Sequence, residues 1–593
     1  MQKEYIILGL FLSISTTLLG QVFQKMTVRD LAKMRNNYGT AVADYDQDGD
    51  LDIFMVAYDG LERGKPETWS RLLENRGSGW FEDATAKAGF DKQYSSTQIK
   101  DNKLGAAWGD YDNDGFPDLL LTHAGHIQLY HNEQDGTFED VTETAQIAPC
   151  LPCVNTSGLW WDFDNDGDLD FYISDYRTAN RLFQNQGDGT FQEVGVAMKV
   201  DDARATWSSL AMDINQDGWQ DLYVINDYGF SHFYLNQNGE SFVEATSEYG
   251  LRNTGSGMGA TVGDYNNDGF FDIYITNISE FQPNKLFQGT QNHRFKEAQM
   301  AEGVGYANWA WGTQFFDADH DGDEDLLVVN GFESLTYSNK FFKNRHVEGK
   351  TGFEDISQRA TLDGDAHGMA AEVFDYDEDG DLDILVANTN DSPSLYQNVG
   401  RAANTNWLQV KLEGTSSNRN AFGAVVIATG DGQTIKRYHH GAGIMGQSIK
   451  PVHFGLGAMK KIDTLTVIWP NQHTEYFYDI PANQTINITE TPLTTSVFAP
   501  KNFATSAIEL QRVSPNPFRA QVELSISTHQ KGLIVFQVFN SLGQLVFQER
   551  EGVLPAGEHS LVWDATNTAI SSGIYYYRIV LSEHVLSGKL LRE

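Results

Sequence analysis

Two cysteines in 593 residues are too few for a zinc site built from cysteine alone. Basic residues are scarce, 42 Lys and Arg against 81 Asp and Glu, giving a formal net charge of −39. A surface of that sign gives nucleic acid and anionic membranes nothing to hold. After the first twenty residues no apolar run approaches the roughly 20 residues needed to span a bilayer. The Gly-x-Ser-x-Gly elbow, His-Glu-x-x-His and a phosphate-cradling glycine loop are all missing. His439 and His440 are neighbours, and on a strand they would point to opposite faces and could not share one metal. His367 reads as a structural or channel-lining histidine. Cys150 and Cys153, in APCLPC, lack the βαβ context of a redox motif and are expected to close a local disulfide.

What the chain has instead is ordered acidity. Seven segments repeat one pattern: DYDQDGDLD from Asp44, DYDNDGFPD from Asp110, DFDNDGDLD from Asp162, DINQDGWQD from Asp213, DYNNDGFFD from Asp264, DADHDGDED from Asp317 and DYDEDGDLD from Asp375. Oxygen-bearing side chains recur at positions 1, 3, 5 and 9, with glycine at position 6. Calcium takes six to eight oxygen ligands, and alternate residues of a tight turn can supply them. The expected ligands, loop by loop, are Asp44, Asp46, Asp48 and Asp52; Asp110, Asp112, Asp114 and Asp118; Asp162, Asp164, Asp166 and Asp170; Asp213, Asn215, Asp217 and Asp221; Asp264, Asn266, Asp268 and Asp272; Asp317, Asp319, Asp321 and Asp325; and Asp375, Asp377, Asp379 and Asp383. Up to seven structural Ca²⁺ are expected. An EF-hand would need glutamate at position 12, where this chain has Met55, Leu121, Ile173, Val224, Ile275, Val328 and Val386. Those residues sit in β-rich runs such as DLYVIN, so the loops join strands rather than helices.

The first aspartates are 66, 52, 51, 51, 53 and 58 residues apart. A period near 50 with four short strands per repeat predicts a β-propeller. Each loop is followed by an LYxN-like strand, a glycine turn and an FxDV-like strand, as in LFQNQGDGTFQEV. The seventh repeat stops at Asn398 without its last strand, and Val22–Thr27 supplies a matching one. The N-terminal strand is therefore expected to complete the seventh blade, removing an open sheet edge.

These loops and the LYxN and FxDV segments resemble the FG-GAP or VCBS repeats of integrin α-like propellers, over residues 21–400. The resemblance implies that the calcium loops act as struts on one face, with ligands on the opposite face or at its mouth. The loops between second and third strands carry Tyr58, Asp59, His123, Asp175, Tyr176, Arg177, Asn226, Asp227, Tyr228, Asn277, Asn330, Asn388 and Asn390. They are candidates for a binding mouth, although Asn and Asp also cap turns well. Trp108, Trp160, Trp161, Trp207, Trp309 and Trp311 read as inner-strand packing.

Residues 404–490 contain NTNWLQVKLEG, SSNRNAFGAVVIATGDG, HFGLG and DTLTVIWPNQ, and resemble the ASPIC/UnbV domain. Asn418 and Arg419 are expected to bridge to the propeller. Two departures stand out: Ile444-Met445-Gly446 replaces an aromatic-containing turn, and Asn471-Gln472 replaces a small residue and Gly. Residues 491–511 read as a linker. Residues 512–593, with SPNPF, VFNSLGQLV, LPAGEHSLVWDA, SGIYYYRI and SGKLLRE, resemble a type IX secretion sorting domain, which implies that secretion machinery as a partner and the surface of a Gram-negative bacterium. Residues 1–20 read as a secretion signal.

The fold expected is all-β: a seven-bladed propeller, a small β domain and a C-terminal β-sandwich. The expected function is adhesion to, or recognition of, an extracellular carbohydrate or protein by a monomer. The alternative is an enzyme at the propeller mouth, either polysaccharide lyase-like or acting on natural products.

Overall fold

The computed structural model describes residues 22–58, 69–77, 79–90, 102–278, 282–331, 337–362, 367–402, 404–492, 508–528, 531–540, 545–565, 573–581 and 584–592. Residues 1–20, read as a secretion signal, Asp59 and most of 491–511 lie outside them. The chain divides into two compact units, Met1–Leu493 and Thr494–Glu593.

The third repeat shows how the sequence builds a sheet. Strands Asn155–Trp161, Asp170–Asp175, Arg181–Asn185 and Phe191–Glu193 pair antiparallel in that order. All seven residues of the innermost strand are buried, as expected for a strand packed on both faces. The outermost strand buries Phe191 and exposes Gln192 and Glu193. The same four-strand order recurs in the sheets whose inner strands are Asn37–Ala43, Lys103–Gly109, Ala205–Met212, Gly257–Gly263 and Ala310–Phe316.

The last of these sheets draws on both ends of the repeat region. Gly368–Phe374, Asp383–Asn388 and Ser394–Asn398 are followed outward by Phe23–Met26, with Phe23 opposite Asn398 and Met26 opposite Leu395. Phe23 is fully buried, its ring edge-on to Phe341 at 5.3 Å. Each inner strand packs against the inner strand of the next sheet, and Gly368–Phe374 packs against Asn37–Ala43. The arrangement is propeller-like.

Residues 406–489 of the same unit form a three-stranded sheet, with Asn406–Glu413 between Val452–Gly457 and Gln484–Thr489, and a four-stranded antiparallel sheet of Gln433–Tyr438, Val425–Gly430, Lys461–Ile468 and Thr474–Pro481. Between them a small hairpin, Ala442–Gly443 and Gly446–Gln447, leaves the domain and joins the second repeat sheet, Gly446 and Gln447 pairing parallel with Ala106 and Ala107. Its two strands together touch the inner strand of all seven repeat sheets. The hairpin therefore lies on the axis those strands surround.

The second unit has two antiparallel sheets, one of Ile508–Ser514, Gln521–Thr528 and Gly557–Asp564, the other of Leu545–Leu554, Gly532–Asn540, Gly573–Leu581 and His584–Arg592. They share a core around Leu524, Phe536, Trp563 and Tyr577. Its first strand begins at Ile508, inside the segment read as linker, because the alternation in IELQRVS continues the sheet where composition suggested a spacer.

Candidate functional site

In the third loop, Asp162 occupies the hub. Its Oδ1 accepts the Asp166 amide and its Oδ2 the Gly167 amide, both at 3.1 Å. Gly167 has φ of 95°, a left-handed conformation that glycine adopts without strain. Asp170 accepts the Phe163 amide on Oδ2 and the Asn185 amide on Oδ1. Single carboxylate oxygens of Asp162, Asp164 and Asp170 lie within 4.8 Å of one another, as do those of Asp44, Asp46 and Asp48, of Asp110, Asp112 and Asp114, and of Asp317, Asp319 and Asp321.

The donor chemistry fits a hard cation. Buried oxygens with no hydrogen-bond partner recur at position 3: Oδ1 of Asp46, Asp164, Asp319 and Asp377. Burial, the dominant cause, pushes the position 1 carboxyls of Asp110, Asp213, Asp264 and Asp375 up to about 7, and Asp52 at position 9 up to about 9. Asp170, Asp221, Asp272, Asp325 and Asp383 are raised well above the usual range for the same reason. Such groups ionise readily only beside a positive charge.

The asparagine of the LYxN strands does more than sequence pattern revealed. Asn185 donates its amide to Asp170 of its own loop, while its side chain donates to Leu169 O at 3.1 Å and to Tyr111 O of the preceding repeat at 2.8 Å. Asn132, Asn236, Asn344 and Asn398 repeat the bond to the preceding loop, reaching Tyr45 O, Phe163 O, Tyr265 O and Ala318 O. Asn75 reaches Tyr376 O, linking the first sheet to the last. In the fifth sheet Gly289 stands in this place; an added Cβ would lie 2.3 Å from Phe271 O. The signal was in the sequence as an Asn recurring after six of the seven loops, but not the carbonyl it serves.

The loop face is covered by residues 404–490. Arg419 pairs with Asp110 at 3.4 Å, and Asn420 Oδ1 accepts the Asp110 amide at 2.8 Å. Gln409 donates to Asp375 Oδ2, Lys411 to Gly49 O, Lys436 to Gly269 O, and Gly457 N–H to His320 O. Buried Arg437 faces Glu324 at 3.4 Å. Arg419 thus bridges as expected, but Asn418 does not: its side chain spans its own turn to Phe422, and Asn420 makes the bridge. His439 meets Asn420 O and His440 accepts the Ala442 amide; burial depresses both, to about 4 and about 3.

The antiparallel order puts the second-to-third strand loops at the opposite end. There Tyr176 packs on Trp207 at 5.1 Å, Trp207 meets Trp311 edge-on at 5.1 Å, Tyr228 is 77% exposed, and Arg177, next to Tyr176 in the chain, is exposed as well. Trp311 belongs to the same cluster as Ile444 and Met445, the hairpin tip, with Trp207 and Trp309 packed against it. Trp108, Trp160 and Trp161 are fully buried between sheets. The other candidates separate by depth. Tyr58 is half-buried, accepting from Asn102, with its ring tilted against Tyr38 at 4.7 Å. His123 is buried against His126, their rings 4.1 Å apart. Asp227 is buried and accepts the Tyr228 amide. Asn277, Asn330 and Asn388 are fully buried, donating to Pro283 O, Ser338 O and Ser392 O of their own turns. Cys150 and Cys153 are joined in a disulfide.

Residues 44–121, 110–155, 162–224 and 213–275 match the FG-GAP-like repeat family, and residues 414–494 match the ASPIC and UnbV family. Cartilage acidic protein 1 of Xenopus tropicalis is 22% identical over 486 residues, covering 73% of this chain and 70% of that protein. The Homo sapiens protein of the same name is 22% identical over 484 residues, 73% and 69% of the two chains. Among solved structures, BBS1N in complex with ARL6DN aligns at a TM-score of 0.40 and 10% identity, over 65% of this chain and 98% of that one. An Agrocybe aegerita lectin that recognises non-reducing terminal N-acetylglucosamine aligns at 0.35 and 14%, over 60% and 87%. The chain carries FG-GAP-like repeats followed by an ASPIC and UnbV domain, and is weakly similar to cartilage acidic protein 1.

Proposed function

We propose that this chain is a secreted or cell-surface, calcium-binding, seven-bladed propeller that binds an extracellular carbohydrate or protein through its open face. One observation carries the reading: the ASPIC and UnbV domain covers the acidic loops and sends a hairpin down the axis, so the aromatic end is the face left for a ligand. Tyr176, Trp207 and Tyr228 offer flat rings of the kind that stack on sugar faces or anchor protein side chains, and Arg177 adds a charged donor. Calcium would be held by positions 1, 3, 5 and 9 of the loops, where it would supply the positive charge that buried carboxylates need. The Cys150–Cys153 disulfide accords with an oxidising compartment. The C-terminal unit is read as a type IX sorting domain, so the chain would be delivered to the surface of a Gram-negative bacterium.

The test replaces Tyr176, Arg177 and Tyr228 by alanine together and compares binding to a glycan array and to extracellular matrix proteins. Binding should be lost while the melting temperature stays unchanged; retained binding moves the site elsewhere. Deleting residues 494–593 should leave the protein unexported in a host with type IX secretion, and unaltered export would remove the sorting assignment.

A further inference from the structure

The residue before the strut asparagine, or before Gly289, differs from repeat to repeat: Glu74, His131, Gln184, Leu235, Gln288, Lys343 and Gln397. In the second repeat the His131 ring lies 3.4 Å from Asp112 Oδ2 and 3.2 Å from Asp118 Oδ1. Gln184, Gln288 and Gln397 each donate one hydrogen bond to the position 3 side chain or its neighbour: Asp164 Oδ2 at 2.6 Å, Asp268 Oδ2 at 3.2 Å and Asp377 Oδ2 at 2.7 Å. A neutral amide leaves the charge of the loop as it was. In the first loop the place is taken by Glu74, a buried carboxylate paired with Arg76 and Lys87. In the sixth it is taken by Lys343.

Lys343 is mostly buried. Its ammonium contacts Asp319 Oδ2 directly and lies 3.3 Å from Asp321 Oδ2, so one cation bridges positions 3 and 5. These are two of the four side chains a divalent ion would need there. The inner oxygen of Asp319 has no hydrogen-bond partner. What the lysine changes is charge: a full positive charge a few ångströms from the ion's place repels a divalent cation strongly at that separation. The loop is also supported without an ion. Asp317 accepts the Asp321 and Gly322 amides, Asp323 accepts the Val347 amide, and Asp325 accepts those of Ala318 and Asn344.

We infer that Lys343 is the resident cation of the sixth loop, which keeps its shape without calcium and takes up no Ca²⁺. The inference rests on the calcium reading of the other loops. The DxDxDG pattern alone cannot show it, because the lysine lies eighteen residues beyond the end of the loop, at a place where three of the other repeats have glutamine.

The test is calcium titration of the metal-stripped full chain by calorimetry, with Ca²⁺ as the only ligand. Asp164→Ala should lower the number of ions bound by one, Asp319→Ala should leave it unchanged, and Lys343→Gln should raise it by one. If Asp319→Ala lowers the number as Asp164→Ala does, the inference is overturned; an unchanged number in Lys343→Gln overturns it too. Should the wild-type chain bind no calcium, the calcium reading itself fails. Melting in chelator then decides the role of the lysine: Lys343→Gln should melt several degrees lower than wild type, and an equal melting temperature rejects Lys343 as counter-ion.

Discussion

At the scale of single residues, the strut asparagines couple neighbouring repeats through buried carbonyls. Removing the Asn185 amide would leave Tyr111 O and Leu169 O without their donor. Each unsatisfied buried group costs about 1–3 kcal/mol, so Asn185→Ala should destabilise the protein by about 3 kcal/mol. Urea unfolding at fixed calcium measures this, and a loss below about 0.5 kcal/mol would show that the strut carries no energy. Glu490 is a second such residue. Its Oε2 accepts the amides of Thr415, Ser416 and Ser417 at 2.8–2.9 Å, and Asn471 donates to Oε1 at 2.7 Å. Burial alone would raise this carboxyl, but those donors outweigh it and hold it below its ordinary value. A depressed carboxyl stabilises the fold above its unfolded pKa and loses that contribution as pH falls. Glu490→Gln should therefore cost about 2 kcal/mol at pH 7 and progressively less as pH drops below 4. A loss that does not depend on pH would contradict the charge-based account.

At the scale of elements, the axial hairpin decides how the two parts of the first unit hold together. Its tip is a two-residue turn, Ile444–Met445, with Met445 at φ of 55°, a conformation a non-glycine residue adopts only when its surroundings impose it. Here they do: Met445 N–H donates to Ser157 Oγ at 2.9 Å, and Met445 O accepts the Ala106 amide. The fit is tight enough that a Cβ on Gly446 would lie 2.1 Å from Thr40 O, and one on Gly39 would lie 2.3 Å from Met445 O. Gly446→Ala should push the hairpin off the axis and expose residues 404–490 to limited proteolysis, whereas Gly432→Ala, with nothing near its Cβ and a φ of 78° that confines the strain to its own hairpin turn, should leave the protease resistance of the junction intact. Equal resistance in both variants would mean that the hairpin is not the tether.

The acidic loops, their strands and the return of the N-terminal strand were legible because each rests on a short-range pattern: alternate oxygens around Gly167, or a repeat lacking its last strand after Asn398. The hairpin was not. Ile444-Met445-Gly446 could be seen only as a departure from a usual turn, since its meaning depends on glycines some 340 and 400 residues earlier, at positions 105 and 39. Long-range pairing leaves no local period. The mouth fell between these cases: Asn277, Asn330 and Asn388 carry the same residue type whether they cap a turn or face a ligand, and only burial separates them from Tyr176 and Tyr228.

At the scale of the whole molecule, metal and pH should act against each other. Without metal, burial raises the loop carboxyls of Asp110, Asp213, Asp264 and Asp375 to about 7 and Asp52 to about 9, against roughly 3.9 in an unfolded chain. Between those values the folded chain binds more protons than the unfolded one. The contribution of these groups to stability is full below about pH 4 and is lost as pH rises through about 7. A formal charge of −39 adds repulsion in the same direction. Calcium reverses the sign, because it binds the ionised carboxylates and competes with the protons. Each site occupied at a thousandfold excess over its Kd adds about 4 kcal/mol. The metal-stripped protein should therefore melt at a lower temperature at pH 8 than at pH 5.5. The gain in melting temperature from millimolar calcium should be largest at pH 8 and shrink toward pH 5.5. Scanning fluorimetry of stripped protein at both pH values, with and without Ca²⁺, reads all four quantities. A gain that is absent at pH 8 would remove the metal from the loops, and one that is as large at pH 5.5 would mean that the ion is held by groups other than these buried aspartates.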